Sequence, residues 1–246
     1  MTIELFVFYG ILFLVAFLYA SVGHGGASGY LALMALYNFT PEVMKPTALL
    51  LNLFVSLVSF IQYFRKGHFQ YRIFIPLALA SVPLAFLGGM IHVQTSLYKQ
   101  LLGIFLTLAS VRFAFFHNGV VKEQEKINWP VALLIGSVIG FASGLLGIGG
   151  GIILSPVLLL LHWTNQKQTA AISALFIFVN SLSGLAGQMT KGIAWQPDMW
   201  WMVAIAFAGG TSGAYLGAGK FNQKILKVIL AFVLLIAAFK LLYTKA

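Results

Sequence analysis

The chain has 246 residues, of which 60% are hydrophobic and 8% charged, and its mean hydropathy is +0.94. Soluble domains carry about 25% charged residues, so this composition excludes a soluble globular protein and predicts an all-α polytopic protein of the cell (cytoplasmic) membrane. The 15 Lys and Arg against 5 Asp and Glu are scattered through the links between apolar runs, where basic residues act as topology signals; no nucleic-acid partner is expected, and the absence of cysteine removes thiolate metal sites and cysteine nucleophiles.

The first apolar run, Ile3 to Val22, carries Glu4 in place of a basic leader and runs into glycine, so it reads as a retained span rather than a signal peptide. It ends in Ser21-Val22-Gly23-His24-Gly25-Gly26-Ala27, and a short apolar piece, 28–37, follows. Runs long enough to cross about 30 Å of hydrocarbon come next at 44–64, 71–91 and 96–116. The link Lys122-Glu123-Gln124-Glu125-Lys126 divides the chain into a first transmembrane repeat, 1–121, and a second, 127–246. The second half repeats the plan: a span at 129–146, the break Leu145-Leu146-Gly147-Ile148-Gly149-Gly150-Gly151, a short piece to 162, and spans at 168–189, 197–217 and 222–243. Lys45-Pro46-Thr47-Ala48 answers to Lys167-Gln168-Thr169-Ala170, Lys66-Gly67 to Lys191-Gly192, and Ala85-Phe86-Leu87-Gly88 to Ala214-Tyr215-Leu216-Gly217. The expectation is two homologous halves, with eight full spans and two half-helices at glycine-rich breaks. If the short pieces cross or are broken across the bilayer, each half has five passes and the halves are inverted; if they are re-entrant, each half has four passes and the halves are parallel. Inversion separates Arg65, Lys66, Arg72, Arg112, Lys122, Lys126, Lys167, Lys220, Lys224 and Lys227 from Lys45, Lys99, Lys191, Lys240 and Lys245, the stronger of the two biases, and is preferred.

The breaks are the candidate site. An unpaired backbone group in lipid costs several kcal/mol, so loosened backbone survives at membrane depth only inside protein or along a cavity. Transporters build substrate sites from discontinuous helices in corresponding positions of two repeats. A half-helix that starts just after Gly26 or Gly150 offers free N–H groups and the positive end of its dipole, which receive an anion without a cationic side chain. Isolated pairs such as Gly88-Gly89 and Gly209-Gly210 read instead as close helix packing.

All five acids, Glu4, Glu42, Glu123, Glu125 and Asp198, fall near the ends of apolar runs. That argues against a carboxylate proton relay, a sodium site or an intramembrane aspartyl enzyme. No HExxH or Walker A pattern is present, and neither metal nor cofactor is expected. His24 is the ionisable side chain at a break, with Ile148 as its counterpart; a buried neutral imidazole hydrogen-bonded to backbone and a proton-sensitive gate or ligand contact both fit it. Asn52, Ser56, Ser59 and Gln62 share one helix face, and Ser173, Asn180, Ser181, Ser183 and Gln188 stripe another span. Interhelical hydrogen bonds and an anion path are both open readings of these stripes. The five tryptophans, Trp129, Trp163, Trp195, Trp200 and Trp201, read as interface anchors.

Gly147-Ile148-Gly149-Gly150-Gly151 with Pro156 early in the following apolar stretch, set in a duplicated plan that covers the chain, resembles the TauE/SafE family of membrane permeases. The first half departs from the pattern: Ala27 stands in place of a third glycine and Ala32 in place of the proline. The resemblance implies movement of small sulfur oxyanions or organosulfonates such as sulfite, sulfoacetate or a related sulfonate, often as export. The sequence reading is therefore a non-enzymatic permease that works by alternating access, with Gly23, His24, Gly25, Gly26, Gly147, Gly149, Gly150 and Gly151 cradling the anion and Asn52 and Asn180 lining its path. A channel-like anion pore and a non-transporting membrane assembly protein are the alternatives.

Overall fold

The computed structural model describes residues 3–21, 24–115, 125–193, 195–217 and 223–243. Regular structure among them is helical throughout: α1 (Ile3–Ser21), α2 (Ala27–Leu36), α3 (Pro41–Arg65), α4 (Tyr71–Met90), α5 (Thr95–Phe115), α6 (Trp129–Leu146), α7 (Gly151–Leu160), α8 (Gln166–Met189), α9 (Pro197–Gly217) and α10 (Gln223–Tyr243). Boundaries follow local chemistry. Pro41 opens α3, where its missing N–H has no helical partner to lose. Asn128 caps α6 by accepting from the Val131 N–H, and Asn165 and Gln168 form a reciprocal capping box on α8. Gly147 closes α6 in the left-handed conformation that glycine adopts without penalty, so that its own N–H and that of Ile148 both reach the Ser143 carbonyl.

α1, α3, α4, α6 and α8 are each long and apolar enough to cross a membrane. Their outward faces are those of a chain in lipid. Leu14, Leu79, Leu108, Leu134, Val138, Phe232 and Phe239 are all exposed, an apolar surface far beyond what a soluble monomer presents. The chain is a multi-pass membrane protein.

Each short helix folds back along the long helix before it. Phe8 of α1 packs on Tyr37 and Phe39 beyond the end of α2, while Gly29 near the start of α2 sits against Val15 and Tyr19. In the second half the Glu125 N–H reaches the His162 carbonyl at the open end of the α6–α7 pair, and Gly150 lies against Ile139 farther in. Both breaks are thus tips of helical hairpins with one long and one short arm.

The two hairpins enter from opposite ends of the bundle. Antiparallel pairing of α3 with α8 sets Asn52 opposite Ser181 and Leu49 opposite Gly184, and antiparallel pairing of α5 with α10 sets Ser110 on the Ala231 carbonyl and Gly103 on Leu242. α6 runs parallel to α4, with Gly136, Gly140 and Gly144 seated in turn on the backbone of Leu77, Ser81 and Ala85. α9 runs parallel to α1 in the same manner, Gly209 on Phe13 and Gly213 on Phe17. Gly89 meets the backbone of Gly184, so the Gly88-Gly89 and Gly209-Gly210 pairs include the close-packing contacts expected of them.

Candidate functional site

The two breaks meet over the same pair of side chains. A Cβ on Gly25 would lie 2.9 Å from Ile177 Cγ2 and 3.0 Å from Asn52 Oδ1; one on Gly149 would lie 2.5 Å from Asn52 Nδ2 and 3.0 Å from Ile177 Cγ2 and Ser181 Oγ. Only glycine permits this approach, and at Gly26, Gly149 and Gly150 the backbone is also left-handed, with φ of 95°, 71° and 78°. Asn52 therefore bridges the breaks: its amide oxygen faces the first, and its amide nitrogen faces the second while donating to Ser181 Oγ at 3.3 Å. Asn52 is fully buried, and its Oδ1 has no hydrogen-bond partner among the described residues.

α2 and α7 begin at this meeting point. Their first internal hydrogen bonds run from the Tyr30 N–H to the Gly26 carbonyl and from the Ile153 and Leu154 N–H groups to the Gly150 carbonyl, so the N–H groups of each opening turn have no intrahelical acceptor. A crevice lies between, lined by Tyr19, His24, Gly25, Gly26, Ala27, Ser28, Asn52, Ile148, Ile152 and Ile177. Among the described residues no lining side chain is acidic. The crevice is narrow, with free space for about one water.

A hydroxyl network ties the break of the first half to the helices of the second. His24 Nε2 lies 3.2 Å from Ser155 Oγ on α7; that hydroxyl donates to the Gly151 carbonyl at 2.8 Å and lies 2.9 Å from Ser173 Oγ on α8. Tyr19 and Ser28 share a bond of 2.8 Å across the α1–α2 hairpin. The His24 ring is thus buried at the crevice wall, within reach of a side-chain hydroxyl.

Of the residues singled out from sequence, His24, Gly25, Gly26, Asn52, Gly149 and Gly151 come together here, Gly151 through its contact with Ile177. Gly23 lies outside the described residues. Gly147 is set apart, packed on the backbone of Lys45. Gly150 faces Ile139 and Phe176 on the far side of the tip, and Asn180 donates to the Phe176 carbonyl without lining the crevice. In the polar stripe of α3, Ser56 and Ser59 donate back to the carbonyls of Asn52 and Val55 on their own helix. Interhelical bonds are made instead by Asn52, which donates to Ser181, by Ser183, which donates to the Val82 carbonyl, and between Ser155 and Ser173. Trp163 departs from its expected interface role: it is buried beside Leu158 and Ile172. Tyr19, Ser28, Ile152, Ser155 and Ile177 were not singled out from sequence. Ser28 and Ser155 were findable as hydroxyls near the starts of the half-helices, whereas Ile177 is one apolar residue among many in its span.

A helical membrane protein with paired broken helices around a buried polar crevice has the architecture of a transporter. The family described as "Sulfite exporter TauE/SafE" matches residues 8–241, and the chain belongs to that family. It is 38% identical to the "Probable membrane transporter protein y4hK" of Sinorhizobium fredii, an alignment that covers 94% of this chain and 95% of the relative. It is 27% identical to the "Probable membrane transporter protein YunE" of Bacillus subtilis, over 84% of this chain and 82% of that one. The "Probable membrane transporter protein MJ0441" of Methanocaldococcus jannaschii is 28% identical, over 72% and 70% of the two chains. No solved structure matches. The protein is a membrane transporter.

Proposed function

We propose that this transporter moves small sulfur oxyanions or organosulfonates, of the sulfite or sulfoacetate kind, outward across the cytoplasmic membrane by alternating access at the paired breaks. The observation that carries the reading is the convergence of the α2 and α7 N-termini on Asn52 and Ile177 in a crevice with no acidic wall. Free N–H groups and two positive dipole ends suit an oxyanion, and the absence of an acidic wall spares that anion any repulsion. His24, Gly25, Gly26, Asn52, Gly149 and Gly151 form the cradle. Gly147 and Gly150 shape its backbone, Gly23 completes the first break, and Asn180 supports α8 behind it.

The narrow crevice corresponds to a closed form, so binding requires the hairpins to part. An inverted repeat, with halves at 1–121 and 127–246, supplies the means. Its support is the opposed entry of the α1–α2 and α6–α7 hairpins, the antiparallel α3–α8 and α5–α10 pairs, and the exchanged α1–α9 and α6–α4 pairs. Each hairpin begins and ends on one side; three further crossings per half then leave the halves upside down to one another. Short pieces that turn back are thus compatible with inversion, through a hairpin that the span count alone did not anticipate. α5, α9 and α10, at 21 residues each, complete the spans.

Support for export comes from the family's description and from the membrane potential, which favours efflux of an anion by about 2.3 kcal/mol per charge per 100 mV. The test is flux of radiolabelled sulfite, sulfoacetate and taurine in proteoliposomes under imposed voltage and pH gradients. Saturable flux of one of them, abolished in Gly150→Leu while membrane insertion persists, is the expected result. Flux that does not saturate would replace the carrier with a pore, and the absence of flux for all three would overturn the substrate assignment.

A further inference from the structure

A second pocket, roomier than the crevice, opens where α2 ends and α3 begins. Phe39, Pro41, Met44 and Leu241 form its apolar walls, and Lys99 of α5 and Lys240 of α10 both line it. Among the described residues no acidic side chain lines it, and Glu42, next to the lining residue Pro41, forms no ion pair with Lys99 or Lys240. Lys240 Nζ donates to the carbonyl of Leu36, the last residue of α2, at 2.6 Å; Lys99 has no hydrogen bond or ion pair among the described residues. Two half-buried ammonium groups on facing helices in a partly apolar surround repel each other unless an anion lies between them.

We propose that the Lys99–Lys240 pocket is a second anion site, separate from the breaks, that takes a phosphate- or sulfonate-type oxyanion either as a free ion or as the headgroup of an anionic lipid. The apolar walls accommodate carbon next to the charged group. α2 links this pocket to the transport crevice: its C-terminal carbonyl holds Lys240, and its N-terminus forms the first break about 15 Å away along the helix. An anion that draws Lys240 off the Leu36 carbonyl releases the end of the helix whose other end lines the crevice.

The variant that tests this is Lys99→Gln, which gives up no hydrogen bond and touches no residue of the breaks. Thermal unfolding of the purified wild type and of Lys99→Gln is compared in sodium sulfate against sodium chloride at equal ionic strength, and in phosphatidylglycerol against phosphatidylcholine nanodiscs. At about ten times the dissociation constant the wild-type midpoint rises by roughly 4 °C, and Lys99→Gln loses the rise. A gain with phosphatidylglycerol alone assigns the site to a lipid headgroup, and a gain with sulfate alone assigns it to a free anion. General salt stabilisation and anion binding at the breaks affect both proteins equally, so equal responses of wild type and variant overturn the proposal whatever the transport substrate is.

Discussion

Gly149→Ala puts the smallest side chain at the point where the second break meets Asn52. At φ of 71° an L residue pays about 1–2 kcal/mol for the left-handed conformation. The new Cβ also falls 2.5 Å from Asn52 Nδ2 and 3.0 Å from both Ile177 Cγ2 and Ser181 Oγ. None of these is a free surface chain end, and overpacking of a closed interior costs about 1–3 kcal/mol. Together the substitution costs about 2–5 kcal/mol, concentrated on the side chain that bridges the breaks. With a tenfold change per 1.4 kcal/mol, substrate flux in proteoliposomes falls at least tenfold. Gly67→Ala is the control: φ there is 73°, and no atom lies within 4 Å of the added carbon, so it carries the backbone strain alone, in the turn between α3 and α4. Its flux stays within about twofold of wild type. Equal flux from Gly149→Ala and wild type, at equal reconstituted amounts, would refute the idea that Asn52 and the second break form one transport site.

Asn52→Asp keeps the shape of the side chain but places a carboxylate between the two anion-receiving helix ends; flux at neutral pH falls by about two orders of magnitude and recovers in part as the pH drops and the new carboxyl group protonates. Ser155→Ala removes the hydroxyl shared by His24, the Gly151 carbonyl and Ser173, which destabilises the closed form by about 1–3 kcal/mol and is read as a lower unfolding midpoint with reduced flux. Gly144→Val drives a side chain into the Ala85 carbonyl, so it disrupts the α4–α6 contact and yields aggregated protein on size exclusion. A monodisperse, active Gly144→Val would contradict the packing.

Much of the site was legible because glycine is a conspicuous residue in a helix. Gly25, Gly26, Gly149 and Gly151 stand out from the apolar runs around them, and the short pieces that follow became α2 and α7 close to their expected bounds. The fold-back of those helices was not legible, since run length and hydropathy carry no direction along the bundle. Residues whose importance is purely spatial were also hidden. Ile177 touches both breaks yet sits in an ordinary apolar span. Tyr98, whose hydroxyl donates to the Leu146 carbonyl at 3.0 Å while Lys45 Nζ lies 4.4 Å from its ring centre, holds the end of α6 from another helix. The serines of α3 drew attention as a stripe, yet their hydroxyls are satisfied within the helix. Polar spacing shows which face a hydroxyl occupies; only the packed structure shows which carbonyl is nearer.

The chain contains no cysteine, which makes alternating access at the breaks directly measurable on a clean background. Ser28 lines the crevice in the first turn of α2 and is buried in the closed form, so Ser28→Cys is the probe, labelled with a membrane-impermeant thiol reagent applied to either side of oriented vesicles with and without substrate. The account predicts slow labelling from both sides, with protection by the transported anion. Labelling from one side only, or at a rate the anion leaves unchanged, would contradict a shared, alternately exposed site at the two breaks.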